Sequence, residues 1–126
     1  MTGSKQTLYE KYGGFPGVRQ VVTEFYERAL DNDVVGHFFE DVNMARLIDH
    51  QTKMIAGLLG GPVEISDARL AMAHAHLEVE HHHFDEIALI LNETLTDAGF
   101  EKQDRVKAIA AVEARRSVIV RRSKAA

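Results

Sequence analysis

The chain has 126 residues, 45% hydrophobic and 27% charged, which is enough for one domain with a real core and leaves no room for a second. It has no cysteine, so disulfides, thiolate zinc sites, iron–sulfur clusters and a cysteine nucleophile are excluded, and histidine remains the main soft metal ligand. A formal net charge of −4 speaks against a general nucleic-acid binder.

No apolar run reaches membrane-spanning length and the first residues lack a signal core, so the expectation is a cytoplasmic protein without a membrane span. The expected organisation is one domain over 1–126, with 1–6 as a mobile lead and 120–126 as a mobile basic tail. Arg115, Arg116, Arg121, Arg122 and Lys124 are expected to be solvated cations at a helix C-terminus, where the dipole favours them. A tail that docks on a membrane surface or a partner is the rival reading.

Taken in chain order, Thr7 to Tyr12 form a short lead, and Gly13, Gly14, Pro16 and Gly17 predict a sharp corner before the next helix. From Val18 the positions Val18, Val21, Val22, Phe25, Tyr26, Ala29 and Leu30 keep helical spacing, and the helix ends around Asp31 to Asp33. Tyr26 falls on the buried stripe, so its hydroxyl needs a partner inside. It is either a core tyrosine bonded to a carbonyl or a donor aimed into a pocket. Val34 to Asn43 reads as a short helix and turn, with Phe38 and Phe39 either plugging the core or walling a flat ligand.

Met44 to Leu59 is a helix with Met44, Leu47, Ile48, Gln51, Met54, Ile55 and Leu58 on one face, stopped by Gly60, Gly61 and Pro62. Gln51 is the odd member, because an unpaired buried amide costs about 1–3 kcal/mol. After a loop, Ser66 or Asp67 caps a short helix through Leu70, Ala73, His74 and Leu77, which puts His74 on the apolar face and His76 outward. Phe84, Ile87, Ala88, Leu91 and Leu95 mark a helix closed by Gly99. The last helix is predicted from Gln103 through Val106, Ile109, Ala110, Val112 and Ile119. No segment alternates as a strand does, so the class is all-α.

Five of the seven histidines lie between His74 and His83. None of these pairs has the i, i+4 spacing of a helical two-histidine metal site, so at most one or two serve the same metal. His81, His82 and His83 read most simply as a solvated loop and helix start, and a histidine-rich metal patch on an all-α interaction module is the rival.

The ordered set Leu8-Tyr9-Glu10-Lys11-Tyr12-Gly13-Gly14, Phe25-Tyr26-Glu27-Arg28, Phe38-Phe39, His50-Gln51, Leu59-Gly60-Gly61-Pro62, Ala73-His74 and His83-Phe84 resembles the group I truncated haemoglobins from about Thr7 to Ile119. The resemblance implies a truncated globin-like two-over-two helical sandwich around haem b (iron protoporphyrin IX). It places His74 as proximal iron ligand, Phe39 and Phe84 against the porphyrin, and Ile55, Leu58, Leu70, Ile87 and Val112 as apolar lining. Tyr26 takes the position of the hydrogen-bond donor to the bound gas, assisted by Gln51, and Leu47 takes the place where many globins carry a distal histidine. His50 has two roles among relatives, as a distal iron ligand that makes the haem six-coordinate or as a partner of a haem propionate, and helix geometry does not choose between them. Relatives with covalent haem use a histidine in the last helix; this chain has none after His83, so non-covalent haem is expected.

The implied function is binding of oxygen, nitric oxide, carbon monoxide and similar diatomic gases, extending to conversion of nitric oxide to nitrate. That reaction needs electrons, and the chain has no flavin or nicotinamide motif, so a separate reductase is implied. A redox or gas-sensing protein with His50 on the iron is the alternative.

Overall fold

The computed structural model describes residues 6–63 and 66–120, apart from the His76 side chain. The lead and tail expected to be mobile lie outside it except for Gln6 and Val120. The helices are α1 (Leu8–Lys11), α2 (Gly14–Leu30), α3 (Met44–Leu58), α4 (Asp67–His74), α5 (His81–Asp97), α6 (Lys102–Glu113) and α7 (Arg116–Ile119). Single 3₁₀ turns at Gly36–Phe39 and Ala75–Leu77 join them, and the described residues contain no strand. α2 packs on α3 and α5 on α6, while α2 also meets α5 and α3 meets α6, so two helices lie over two.

The first corner is tighter than the glycines and Pro16 predict. α2 starts at Gly14 rather than Val18, with Pro16 inside its first turn, where the missing N–H would have no intrahelical partner in any case. Gly17 is required there, because a Cβ on it would sit 1.9 Å from the Tyr12 carbonyl oxygen. Gly61 has the same role at the end of α3, where a Cβ would meet the Ala56 carbonyl oxygen and the Tyr9 ring at 2.8 Å.

Val18, Val22, Ala29, Val35, Ala56 and Leu95 form the centre of the core. On α3 the fully buried line is Thr52, Ala56 and Leu59, one turn apart, and Thr52 is satisfied by its hydroxyl bonding the Ile48 carbonyl at 2.7 Å. Leu47, Gln51, Ile55 and Leu58 continue around the helix as a half-buried strip. The apolar face of α3 is thus wider than the core needs.

Three expectations fail. Leu30 and Val106 are 43% and 60% exposed, so the stripe of α2 ends before Leu30 and the buried face of α6 passes Val106 by. α6 instead buries Asp104, which accepts from Lys11 Nζ at 2.7 Å and from the Tyr12 hydroxyl at 2.5 Å. The polar residue is inside because its charge is paired, and Tyr12 completes the joint by stacking on Phe100 at 3.6 Å.

The last helix is broken: α6 stops at Glu113, Arg115 N turns back to the Val112 carbonyl in a 3₁₀-type bond, and α7 restarts at Arg116. No glycine or proline causes this. Arg115 and Arg116 are not solvated cations either, since Arg115 pairs with Asp67 at 3.7 Å and Arg116 with Asp85 at 2.6 Å and Glu113 at 2.9 Å. Tertiary ion pairs override the local helical pattern.

Candidate haem site

Tyr26 is buried in the middle of α2, its ring set edge-on to Phe25 at 4.9 Å and to Phe39 at 5.3 Å. Phe39 ends the first 3₁₀ turn, which brings it back onto α2. Burial pushes the Tyr26 hydroxyl well above the ordinary tyrosine range, and a hydrogen bond from the Gln51 side chain only partly opposes that. Tyr26 is therefore a neutral hydroxyl near pH 7. The two polar residues that stood out on apolar stripes face each other across the α2 and α3 interface, where the Gln51 side chain acts on the Tyr26 hydroxyl.

His74 is the last residue of α4, whose first turn is capped by the Ser66 hydroxyl accepting from Arg69 N at 3.3 Å. Its Nδ1 donates to the Leu70 carbonyl oxygen at 2.8 Å, one helical turn back. With the proton on Nδ1, Nε2 keeps its lone pair for a metal. α4 makes its main contacts with α7 and with the 3₁₀ turn after it, and few or none with α2 and α3. The half-buried His74 and the Tyr26 and Gln51 pair thus stand on parts of the fold that do not pack directly together.

Half-buried apolar side chains surround the main core. Phe39, Leu47, Ile55, Ile87 and Val112 pack against the edge of the main core. Leu58 joins Ile55 and Val112 around a small apolar cavity with Leu91, Leu95 and Ala108. Leu70 is buried on α4. Phe84 is buried too, but in a separate small cluster with Val79 and Val120, under the Arg116 guanidinium at 4.5 Å. His50 is exposed on α3, beside Asp49, which pairs with Arg19.

The residues present suit a flat apolar disc with a metal at its centre: one imidazole with an oriented, unprotonated Nε2, a hydroxyl and amide pair elsewhere, and a rim of large aliphatic and aromatic groups. The neighbouring histidines are otherwise engaged. His83 Nδ1 accepts from Glu80 N at 3.0 Å and its ring meets Phe38 edge-on at 4.8 Å, while His81 and His82 lie exposed in the first turn of α5. Among the described residues no three His, Cys, Asp or Glu side chains converge as a metal cage. The expectation that His76 points outward lies outside the described atoms.

Two contributors escape a reading of residue types. The Leu70 carbonyl is a backbone atom with no sequence signature beyond its place four residues before His74. Arg116 looks in sequence like part of a basic tail.

The comparisons agree with the fold. The Bacterial-like globin family matches residues 7–120. The group 1 truncated hemoglobin GlbN of Synechocystis sp. is 40% identical over 111 residues, 84% of this chain and 88% of that one. The truncated hemoglobin of Tetrahymena pyriformis, solved in its Fe(III) form, superposes with a TM-score of 0.84 at 31% identity over 91% of this chain and 98% of that one. The 2/2 hemoglobin of Synechococcus sp., solved in the cyanomet state with covalently attached heme, gives 0.86 at 28% identity over 93% and 100%. Among the described residues no helix is long and apolar enough to cross a membrane. The chain belongs to the bacterial-like globin family and, within it, to the group 1 truncated haemoglobins, whose members bind haem and, through it, diatomic gases.

Proposed function

We propose that this chain holds haem b non-covalently through His74 and binds oxygen and other diatomic gases beside Tyr26 and Gln51, with nitric oxide dioxygenation as its reaction when an external reductase supplies electrons. The observation that carries this reading is the buried Tyr26 hydroxyl facing the half-buried Gln51. A buried hydroxyl beside a half-buried amide contributes little net stability, and a same-shaped apolar pair would serve packing as well. The pair makes sense as a preset donor.

Bound haem supplies an iron that takes up a diatomic gas and, when the gas is oxygen, can deliver it to nitric oxide as nitrate at the cost of one electron to be returned. The residues do the rest. Gln51 holds the Tyr26 oxygen, and the raised pKa keeps the proton on that oxygen for donation to a polar ligand. Leu70 O fixes the His74 ring and its tautomer. Phe39, Leu47, Ile55, Leu58, Leu70, Ile87 and Val112 exclude water, which strengthens the Tyr26 bond, and Phe84 supports them from the adjoining cluster. The exposed position of His50 supports a role at the pocket mouth beside a propionate rather than on the iron. No histidine follows His83 to form a covalent link, which supports non-covalent haem.

Rapid mixing of the oxygen-loaded protein with nitric oxide tests the reaction. The expected result is one nitrate per haem, formed faster than oxygen is released. Nitrate production limited by the oxygen release rate would remove dioxygenation and leave gas binding alone.

A further inference from the structure

We infer that Arg116 is a positioning residue for His74, acting through α7; this rests on His74 being the iron ligand. α4 has eight residues and buries only Leu70 along its length, far too little to hold a helix that short in place by itself. Its main support is α7, which has only four residues and buries none. What fixes α7 therefore fixes α4.

Arg116 is the bolt. Its Nη2 donates to Asp85 at 2.6 Å and to Glu113 at 3.0 Å, its Nε to Glu113 at 2.9 Å, and its Nη1 to the His81 carbonyl at 3.3 Å. The guanidinium carbon lies 4.5 Å from the centre of the Phe84 ring. One planar group thus joins the end of α6 and the first turn of α5 at the start of α7, with only 22% of its side chain exposed. A lysine cannot reproduce the fork or the stacking. Directly before it, Arg115 reaches Asp67, the first residue of α4, at 3.7 Å. A continuous path runs from α5 through Arg116 and α7 to the helix whose last residue is His74. Leu70 O sets the rotation of the imidazole within α4; Arg116 sets where α4 stands.

The test uses the haem-loaded protein without bound gas, as wild type, Arg116→Met, Arg116→Lys and Asp85→Asn. Methionine keeps apolar reach over Phe84 without the fork, and Asp85→Asn removes one ion pair and is mild enough to preserve the fold. Resonance Raman gives the iron–histidine stretching band, and hydrogen exchange reports the amides of residues 67–74. The expected result is a shifted and broadened band in Arg116→Met, with amide exchange in α4 about tenfold faster and that of α2 and α3 unchanged. Arg116→Lys should recover less than half of the change, and Asp85→Asn should move both readouts less, in the same direction. An unmoved band, whether exchange rises everywhere or nowhere, overturns the proposal, because a merely structural arginine lowers stability without altering the iron–histidine bond. His74→Gly is run alongside. Loss of the band there shows that His74 is the ligand, so a negative Arg116 result then counts against Arg116 alone; a retained band overturns the His74 reading and Arg116's role with it.

Discussion

His74 Nδ1 and the Leu70 carbonyl oxygen lie 2.8 Å apart within one turn of α4. The proposed ligand side chain is therefore oriented by the backbone of its own helix, and the orientation depends on how firmly that turn is held. Leu70, the one buried side chain of α4, packs that turn inward, within a helix that needs α7 to hold its place. Leu70→Ala should leave the haem colour intact and speed haem loss by about 10- to 100-fold, the usual size of an effect on a metal-bound histidine's partner. Transfer of haem to an excess of a haem-scavenging globin measures the rate, and a wild-type rate would mean that the turn is held by something else.

On the proposed reading Tyr26 and Gln51 act as one donor unit. A hydrogen bond to a group carrying charge contributes about 1.5–3 kcal/mol, so Tyr26→Phe should raise the oxygen dissociation rate by about 10- to 100-fold. Gln51→Leu should act in the same direction but more weakly, because Tyr26 keeps its proton. Carbon monoxide, a weaker acceptor, should be far less sensitive. Equal effects on both gases in stopped-flow measurements would point to altered access and not to a lost hydrogen bond.

Those two residues were legible in sequence because each breaks an apolar stripe, and a polar residue on such a stripe demands a partner. Helical periodicity also placed α2, α3 and α5 well, since their stripes face a large shared core. It misplaced Val106 and ran α6 into α7, where ion pairs between distant residues decide the outcome. Asp104, Lys11, Arg116 and Asp85 carry no periodic signal; each looks like a solvated charge until the fold supplies its partner. The Leu70 carbonyl was invisible for the simpler reason that every residue has one.

Asp104 gives a pH dependence. The Lys11 ammonium and then the Tyr12 hydroxyl hold its carboxyl below the ordinary aspartate value of 3.8. Its folded pKa is lowered, so its contribution is complete above that ordinary value and is lost as pH falls through the lowered one. Asp104→Asn should be less stable than wild type at neutral pH, with the gap closing below about pH 4 in urea melts. A constant gap down to pH 2 would show that the loss is one of packing.

His83 works in a nearer range. Burial first, and then the neighbouring His82, lower its pKa from the ordinary 6.5, consistent with a neutral ring whose Nδ1 accepts from Glu80 N. Stability from this cap is complete above 6.5 and is lost as pH falls through the lowered value, because the protonated ring cannot accept. His83→Gln, which can still accept at that helix position, should flatten the slope of melting temperature between pH 7.5 and 5. An unchanged slope would assign it to other groups.

The most direct test of the account is haem titration of the wild type and of His74→Gly, with and without added imidazole, followed by the ferrous absorption spectrum. The wild type should hold one haem tightly per chain, His74→Gly should bind it weakly, and the wild-type spectrum should return when imidazole enters the space left by the side chain. A His74→Gly protein that binds haem with wild-type affinity and an unchanged spectrum would contradict it and move the ligand to another histidine.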